Sequence, residues 1–174
     1  LDSQGQRGVF KLNSINKIRE KFNKVLSFSR EDEILVEEYY NSDEITVSGW
    51  VDDGKAEILT ITDRLRFEED IHLGICSSHL FPSKYLKGQM SEIENLTQQI
   101  VSEFHIESGP FYFQFLIGKQ GIKVNEIACR IGGAYEGDFM PELTGVDLLK
   151  MMVELAAGRQ SDQSALKNYS IQDN

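Results

Sequence analysis

Gln114 and Glu126 flank a short turn between two runs of alternating side chains. Gln114 interrupts the aromatic row Phe111, Phe113, Phe115. Glu126 sits in Val124-Asn125-Glu126-Ile127-Ala128, which is otherwise mostly apolar. An amide oxygen and a carboxylate facing each other across adjacent strands form a hard-oxygen site suited to Mg²⁺, with nucleotide phosphates completing the shell. The simpler reading of the pair is two polar residues on the solvent face of a half-buried sheet. Four residues beyond Glu126, Arg130 is placed to clamp a phosphate or a carboxylate with two parallel hydrogen bonds, or to make a surface salt bridge.

Two further stretches carry the same kind of chemistry. Gly5 and Gly8 bracket Arg7 in the opening loop. Glycines let backbone N–H groups approach an anion closely, although taken alone this is an ordinary glycine-containing turn. Glu37-Glu38-Tyr39-Tyr40 ends an apolar run, and Glu44 follows Glu37 by seven residues. Backbone groups at such a strand end can pair with a purine edge, and the second carboxylate can accept from ribose hydroxyls. In isolation the same residues are a solvated acidic strand end.

The elements that must position these groups follow from periodicity. Phe10-Lys11-Leu12 predicts a brief strand. Asn13 or Ser14 caps a helix with apolar positions Ile15, Ile18, Phe22, Val25 and Leu26. Ile34-Leu35-Val36 predicts a strand leading into Glu37. Residues 44–51 and 56–62 predict a hairpin closed at Asp52-Asp53-Gly54, and residues 63–88 a loop-like connection. Ser91 with Glu94 predicts a capping box opening a helix with Ile93, Leu96, Ile100, Val101 and Phe104 on its apolar side. A second hairpin turns between Gly118 and Gly121. Arg130-Ile131-Gly132-Gly133 is a loop, Asp147 caps a last helix to about Ala157, and Gly158 stops it. The tail from Arg159 is polar and expected to be loosely held. Antiparallel strands with segregated helices make the fold class α+β.

Composition narrows the rest. The chain has 174 residues and a net charge of −10. This balance excludes general affinity for nucleic acid, whose phosphates demand clustered Lys and Arg. No apolar run reaches the ~20 residues of a bilayer span. Cys76 and Cys129 are too few and too separated for a disulfide framework or a zinc site, which predicts reduced thiols and a cytoplasmic protein. The opening at Leu1, inside what reads as a motif, predicts a piece of a longer polypeptide.

In this order the glycine loop, Val36-Glu37-Glu38-Tyr39-Tyr40 with Glu44, and Asn125-Glu126-Ile127-Ala128-Cys129-Arg130 with its glycine pair resemble the C-terminal part of an ATP-grasp domain over about residues 1–158. The branch is similar to carbamoyl-phosphate-synthetase-like enzymes and amino-acid ligases. The resemblance implies a remnant of the small subdomain over 1–40, a C-terminal subdomain over 41–158 and a tail over 159–174. It implies that Gly5 and Gly8 cover the β- and γ-phosphates. Glu37, Glu38 and the backbone of Tyr39 and Tyr40 would hold adenine, and Glu44 ribose. Gln114 and Glu126 would ligate Mg²⁺, with Mn²⁺ as a substitute. Arg130 would bind the γ-phosphate or an acyl phosphate. His72 would contact the nucleotide, although a surface histidine is the simpler reading for it and for His79.

The implied activity is ATP-dependent ligation of a small-molecule carboxylate to an amine through an acyl phosphate. The alternative is a nucleotide-binding or assembly module without catalysis. A homodimer is compatible with either. The chain departs from the family's pattern at Gln114, where many members have an acid, and at Ala128, where many have Asn. It also starts beyond the family's lysine strand, which predicts weak or absent turnover by this piece alone.

Overall fold

The computed structural model describes residues 7–67, 74–133 and 136–171. The elements are α1 (Ile15–Leu26), β1 (Ser42–Asp52), β2 (Lys55–Arg66), β3 (Cys76–Leu80), α2 (Leu86–Glu103), β4 (Gly109–Gly118), β5 (Gly121–Ala128), α3 (Glu136–Thr144), α4 (Leu148–Ala156) and α5 (Ser164–Asn168). The strands form one five-stranded sheet in the order β3-β2-β1-β4-β5, with the β1–β2, β1–β4 and β4–β5 pairs antiparallel. The α+β class follows directly from this arrangement. The chain divides into two compact units, one of Leu1–Asn41 with Arg64–His79 and one of Ser42–Asp63 with Leu80–Asn174.

In the second unit, alternation along β1 and β4 sends one set of side chains to each face of the sheet. Ile45, Val47 and Val51 join Phe111, Phe113, Phe115 and Ile117 in a buried cluster with Ile93, Ile100 and Val101 of α2. The Phe111 and Phe113 rings lie 4.8 Å apart between centroids, and Phe113 and Phe115 6.4 Å. Each such side chain withdrawn from water contributes roughly 1.5–3 kcal/mol. A second cluster joins Trp50 and Leu59 to Met140, Val146, Leu148, Met151 and Leu166, and holds α3, α4 and α5.

The β1–β2 turn pairs Asp52 with Lys55 and places Asp53 and Gly54 at φ 49° and 73°. Two consecutive left-handed residues match the twist of a two-residue hairpin, which is why Asp-Gly serves there. The Asp147 carboxylate accepts from the Lys150 backbone N–H at 2.9 Å and caps α4. Beside the start of β1, Asp43 accepts from Lys84 Nζ (2.6 Å) and from the Tyr85 hydroxyl (2.5 Å), which ties down the turn that leads into α2.

The structure departs from the sequence reading at six points. Phe10–Leu12 and Ile34–Val36 form no strand, because no strand among the described residues pairs with them; Leu35 and Val36 are exposed. The expected loop over residues 63–88 contains the end of β2, all of β3 and the start of α2. Helix α2 begins upstream of Ser91, with a break at Lys87 and Gly88, so Ser91 lies within it and caps nothing. Helix α3 was not foreseen, since Gly137 and Pro141 mark its sequence as a loop; burial of Met140 overrides that local preference. The tail is anchored rather than loose: Leu166 is buried in the second cluster, and Gln163 Nε2 donates to Asp52 Oδ1 at 2.7 Å.

Candidate functional site

The site is built from the sheet face opposite α2. On β1 this face carries Glu44, Thr46 and Ser48, on β2 Thr60 and Thr62, and on β4 Tyr112 and Gln114. All seven are buried. Their alternation with Ile45, Val47, Phe113 and Phe115 is visible in the sequence. A half-buried sheet, however, turns such polar residues toward water. A face of hydroxyls, amide and carboxylate withdrawn from water is a structural finding.

Register sets the geometry. Thr46 lies opposite Gln114, and Glu44 is two residues away on the same face of the neighbouring strand. Gln114 lies opposite Glu126 on β5. That pairing depends on a bulge. Next to the turn, Phe115 pairs with Val124; beyond it, Gln114 pairs with Glu126, leaving Asn125 as the extra residue. Without it the ladder would set Gln114 opposite Asn125 and turn Glu126 toward the aromatic face. Asn125 Nδ2 instead donates to Gln114 Oε1 at 3.3 Å, which orients that amide oxygen. Glu126 Oε1 lies 3.5 Å from Arg130 Nη2, and the Arg130 guanidinium lies 5.5 Å from the centre of the Tyr112 ring.

Beyond Arg130 the chain passes through Gly132, whose backbone N–H donates to Glu136 Oε2 at 2.9 Å. The Ser48 hydroxyl donates to Glu136 Oε1 at 2.7 Å. Burial pushes the Glu136 carboxyl above the ordinary carboxylate range; the two hydrogen bonds and the Arg130 charge oppose that rise. Sequence reasoning missed Thr46, Ser48 and Glu136. Ser48 and Glu136 stand 88 residues apart, and nothing local signals their contact.

The structure thus brings Glu44, Gln114, Glu126 and Arg130 to one face of the second unit. Gly8, Glu37, Glu38, Tyr39 and Tyr40 belong to the first unit. There Gly8 has φ 79° and packs against Phe28, and Lys11 Nζ lies 3.8 Å from the centre of the Tyr39 ring. Glu37 and Glu38 are exposed. Gly5 and His72 lie outside the described residues. His79 is half-buried rather than a surface residue, and burial, with the Arg64 charge, lowers its pKa.

As magnesium ligands, Gln114 and Glu126 have suitable chemistry: two oxygen donors in register on one face. They bring one formal negative charge. No cluster of three or more His, Cys, Asp or Glu able to hold a metal occurs among the described residues. Such a pair suits Mg²⁺ that arrives with phosphate oxygens, since this ion keeps several non-protein ligands.

The model of the ATP-grasp domain family matches residues 9–138, and the chain belongs to that family. Solved structures agree on the fold. L-amino acid ligase from Bacillus licheniformis superposes with a TM-score of 0.71 at 19% identity over 91% of this chain. Biotin carboxylase from Campylobacter jejuni, solved as a βγ-ATP complex, gives 0.73 at 15% over 97%. N5-carboxyaminoimidazole synthetase from Staphylococcus aureus gives 0.63 at 17% over 87%. The chain spans 36%, 38% and 38% of these three structures' lengths. No curated protein sequence matches it. No helix among the described residues is long and apolar enough to cross a membrane.

Proposed function

We propose that the chain forms part of an ATP-dependent ligase that joins a small-molecule carboxylate to an amine. The observation that carries this reading is the registered Gln114–Glu126 pair, with half-exposed Glu126 and Arg130 bordering a buried polar sheet face that holds Gln114 and Glu44. Mg²⁺, or Mn²⁺ in its place, would be held by Gln114 and Glu126 and would neutralise charge on the triphosphate. Glu44 would accept from ribose hydroxyls. Glu37, Glu38 and the backbone of Tyr39 and Tyr40 would hold adenine, with His72 a further nucleotide contact. The Gly5–Gly8 loop would cover the phosphates with its N–H groups.

The substrate carboxylate attacks the γ-phosphorus, and the bond from that phosphorus to the bridging oxygen breaks, giving an acyl phosphate and ADP. The amine then displaces phosphate from the acyl carbon and loses a proton. Arg130 would bind the phosphoryl group through both events. No side-chain nucleophile is required; the protein positions the reactants and offsets charge. The reading includes a subdomain boundary near residues 40 and 41 and a cytoplasmic location.

The test is calorimetric titration of MgATP into this chain and its Glu126→Gln variant. Phosphate release is measured in parallel on a polypeptide that carries the whole ATP-grasp fold. Glu126→Gln is expected to weaken MgATP binding at least tenfold and to remove phosphate release. Wild-type behaviour of the variant in both assays refutes the metal assignment. The second reading, a binding module without catalysis, draws on the single formal charge of the metal pair. Tight MgATP binding with no phosphate release for any acceptor selects it.

A further inference from the structure

Glu136 plays no part in the chemistry proposed above, yet it is a buried carboxylate at the centre of the site's architecture. It is only 3% exposed. One oxygen is held by Ser48 on β1, the other by the Gly132 N–H. A carboxylate buried at this depth is costly unless both oxygens are satisfied, and here each accepts a hydrogen bond. The loop it grips is the one that carries Arg130.

The space around Gly132 is equally committed. A Cβ there would lie under 3 Å from the Tyr112 ring and from Glu136 Oε2, whereas a Cβ on Gly133 would meet nothing within 4 Å. Tyr112 also lies beneath the Arg130 guanidinium, and its hydroxyl accepts from Thr46 Oγ1 at 3.4 Å. Arg130 is therefore bordered by Glu126, the Tyr112 ring and a loop pinned two residues later. Its own side chain is 54% exposed. A long, half-exposed arginine has many rotamers, and a fixed backbone at Gly132 removes freedom that phosphate binding would otherwise have to remove.

We propose that Glu136 is a positioning residue for Arg130: by bridging Ser48 and the Gly132 N–H, it fixes the Arg130–Gly133 loop over the polar face of the sheet. The proposal rests on the reading of Arg130 as the phosphate-binding group, and two readouts separate them. The first is independent of nucleotide. Amide hydrogen exchange in the folded chain is expected to show Gly132 protected in the wild type and exchanging about tenfold or more faster in Glu136→Ala, with Phe113 and Phe115 unchanged. Glu136→Gln retains an acceptor for Gly132 and is expected to keep most of the protection. Ser48→Ala, which leaves the carboxylate in place, falls between. Unchanged Gly132 exchange in both Glu136→Ala and Ser48→Ala overturns the proposal.

The second readout is MgATP affinity in a double-mutant cycle. Glu136→Ala is expected to weaken binding roughly tenfold in the wild-type background and to have no further effect in Arg130→Ala, because it acts through that arginine. Equal losses in both backgrounds overturn the positioning role even if the loop is pinned. Where the wild type shows no MgATP binding at all, the proposed function fails and the Arg130 role falls with it; the exchange result then decides whether Glu136 pins the loop.

Discussion

Substitution of Gly132 by alanine isolates how tightly the arginine loop is held. The added Cβ would lie too close to the Tyr112 ring, which is buried on β4, and to Glu136 Oε2, which already accepts from the Gly132 N–H. Overpacking of this kind costs about 1–3 kcal/mol. Loss of the hydrogen bond to a charged, buried acceptor costs about 1.5–3 kcal/mol. The two overlap, because a loop that shifts to relieve the clash breaks the bond, so the expected loss is about 2–4 kcal/mol. For a chain of this length that lowers Tm by roughly 5–15 °C. Gly133→Ala is the internal control: its Cβ meets nothing within 4 Å, and its stability should stay within about 0.5 kcal/mol of wild type. Urea denaturation and thermal melts followed by circular dichroism measure both. Equal behaviour of the two variants, or a Gly132→Ala protein as stable as wild type, refutes the packing argument.

Asp147→Ala removes the carboxylate that caps α4 and should cost about 1 kcal/mol, seen as a lower urea midpoint with unchanged slope. Glu136 gives a pH-dependent expectation. Its native pKa lies above the unfolded value because burial disfavours the charged form. Between those two values the native state holds more protons than the unfolded state, so this residue's contribution is fully present below the unfolded pKa and is lost as pH rises through the native one. The stability of Glu136→Gln relative to wild type should therefore rise with pH from about pH 4 upward; urea midpoints that keep a constant offset across that range contradict it. Lys55→Ala should change stability by less than about 0.5 kcal/mol in the same assay, since its ion pair with Glu57 is solvent-exposed.

Much of the second unit could be read from local pattern. Asp53-Gly54 specified the first hairpin, and alternating Phe111, Phe113 and Phe115 specified β4. Asp147 and Gly158 bracket the last long helix. Each of these signals is satisfied within a few residues, by a turn conformation, a pleat or a cap. The first unit was less legible. Phe10–Leu12 and Ile34–Val36 have strand-like composition, but a strand needs a hydrogen-bonding partner, and none is present among the described residues. Helix α3 was hidden for the opposite reason, since Met140 gains from burial what Gly137 and Pro141 lose locally.

The sequence by itself singled out the side chains proposed to bind a phosphate and a hard cation, and the order that marks the ATP-grasp family. Residue type and spacing are local properties, so they survive without coordinates. Only the tertiary structure decided that Asn125 is a bulge, so that Glu126 faces Gln114 rather than the phenylalanine core. It alone joined Ser48 to Glu136 and distinguished Gly132 from Gly133. Those choices depend on strand register and on the space between side chains far apart in the chain, and the order of residues does not encode them at short range.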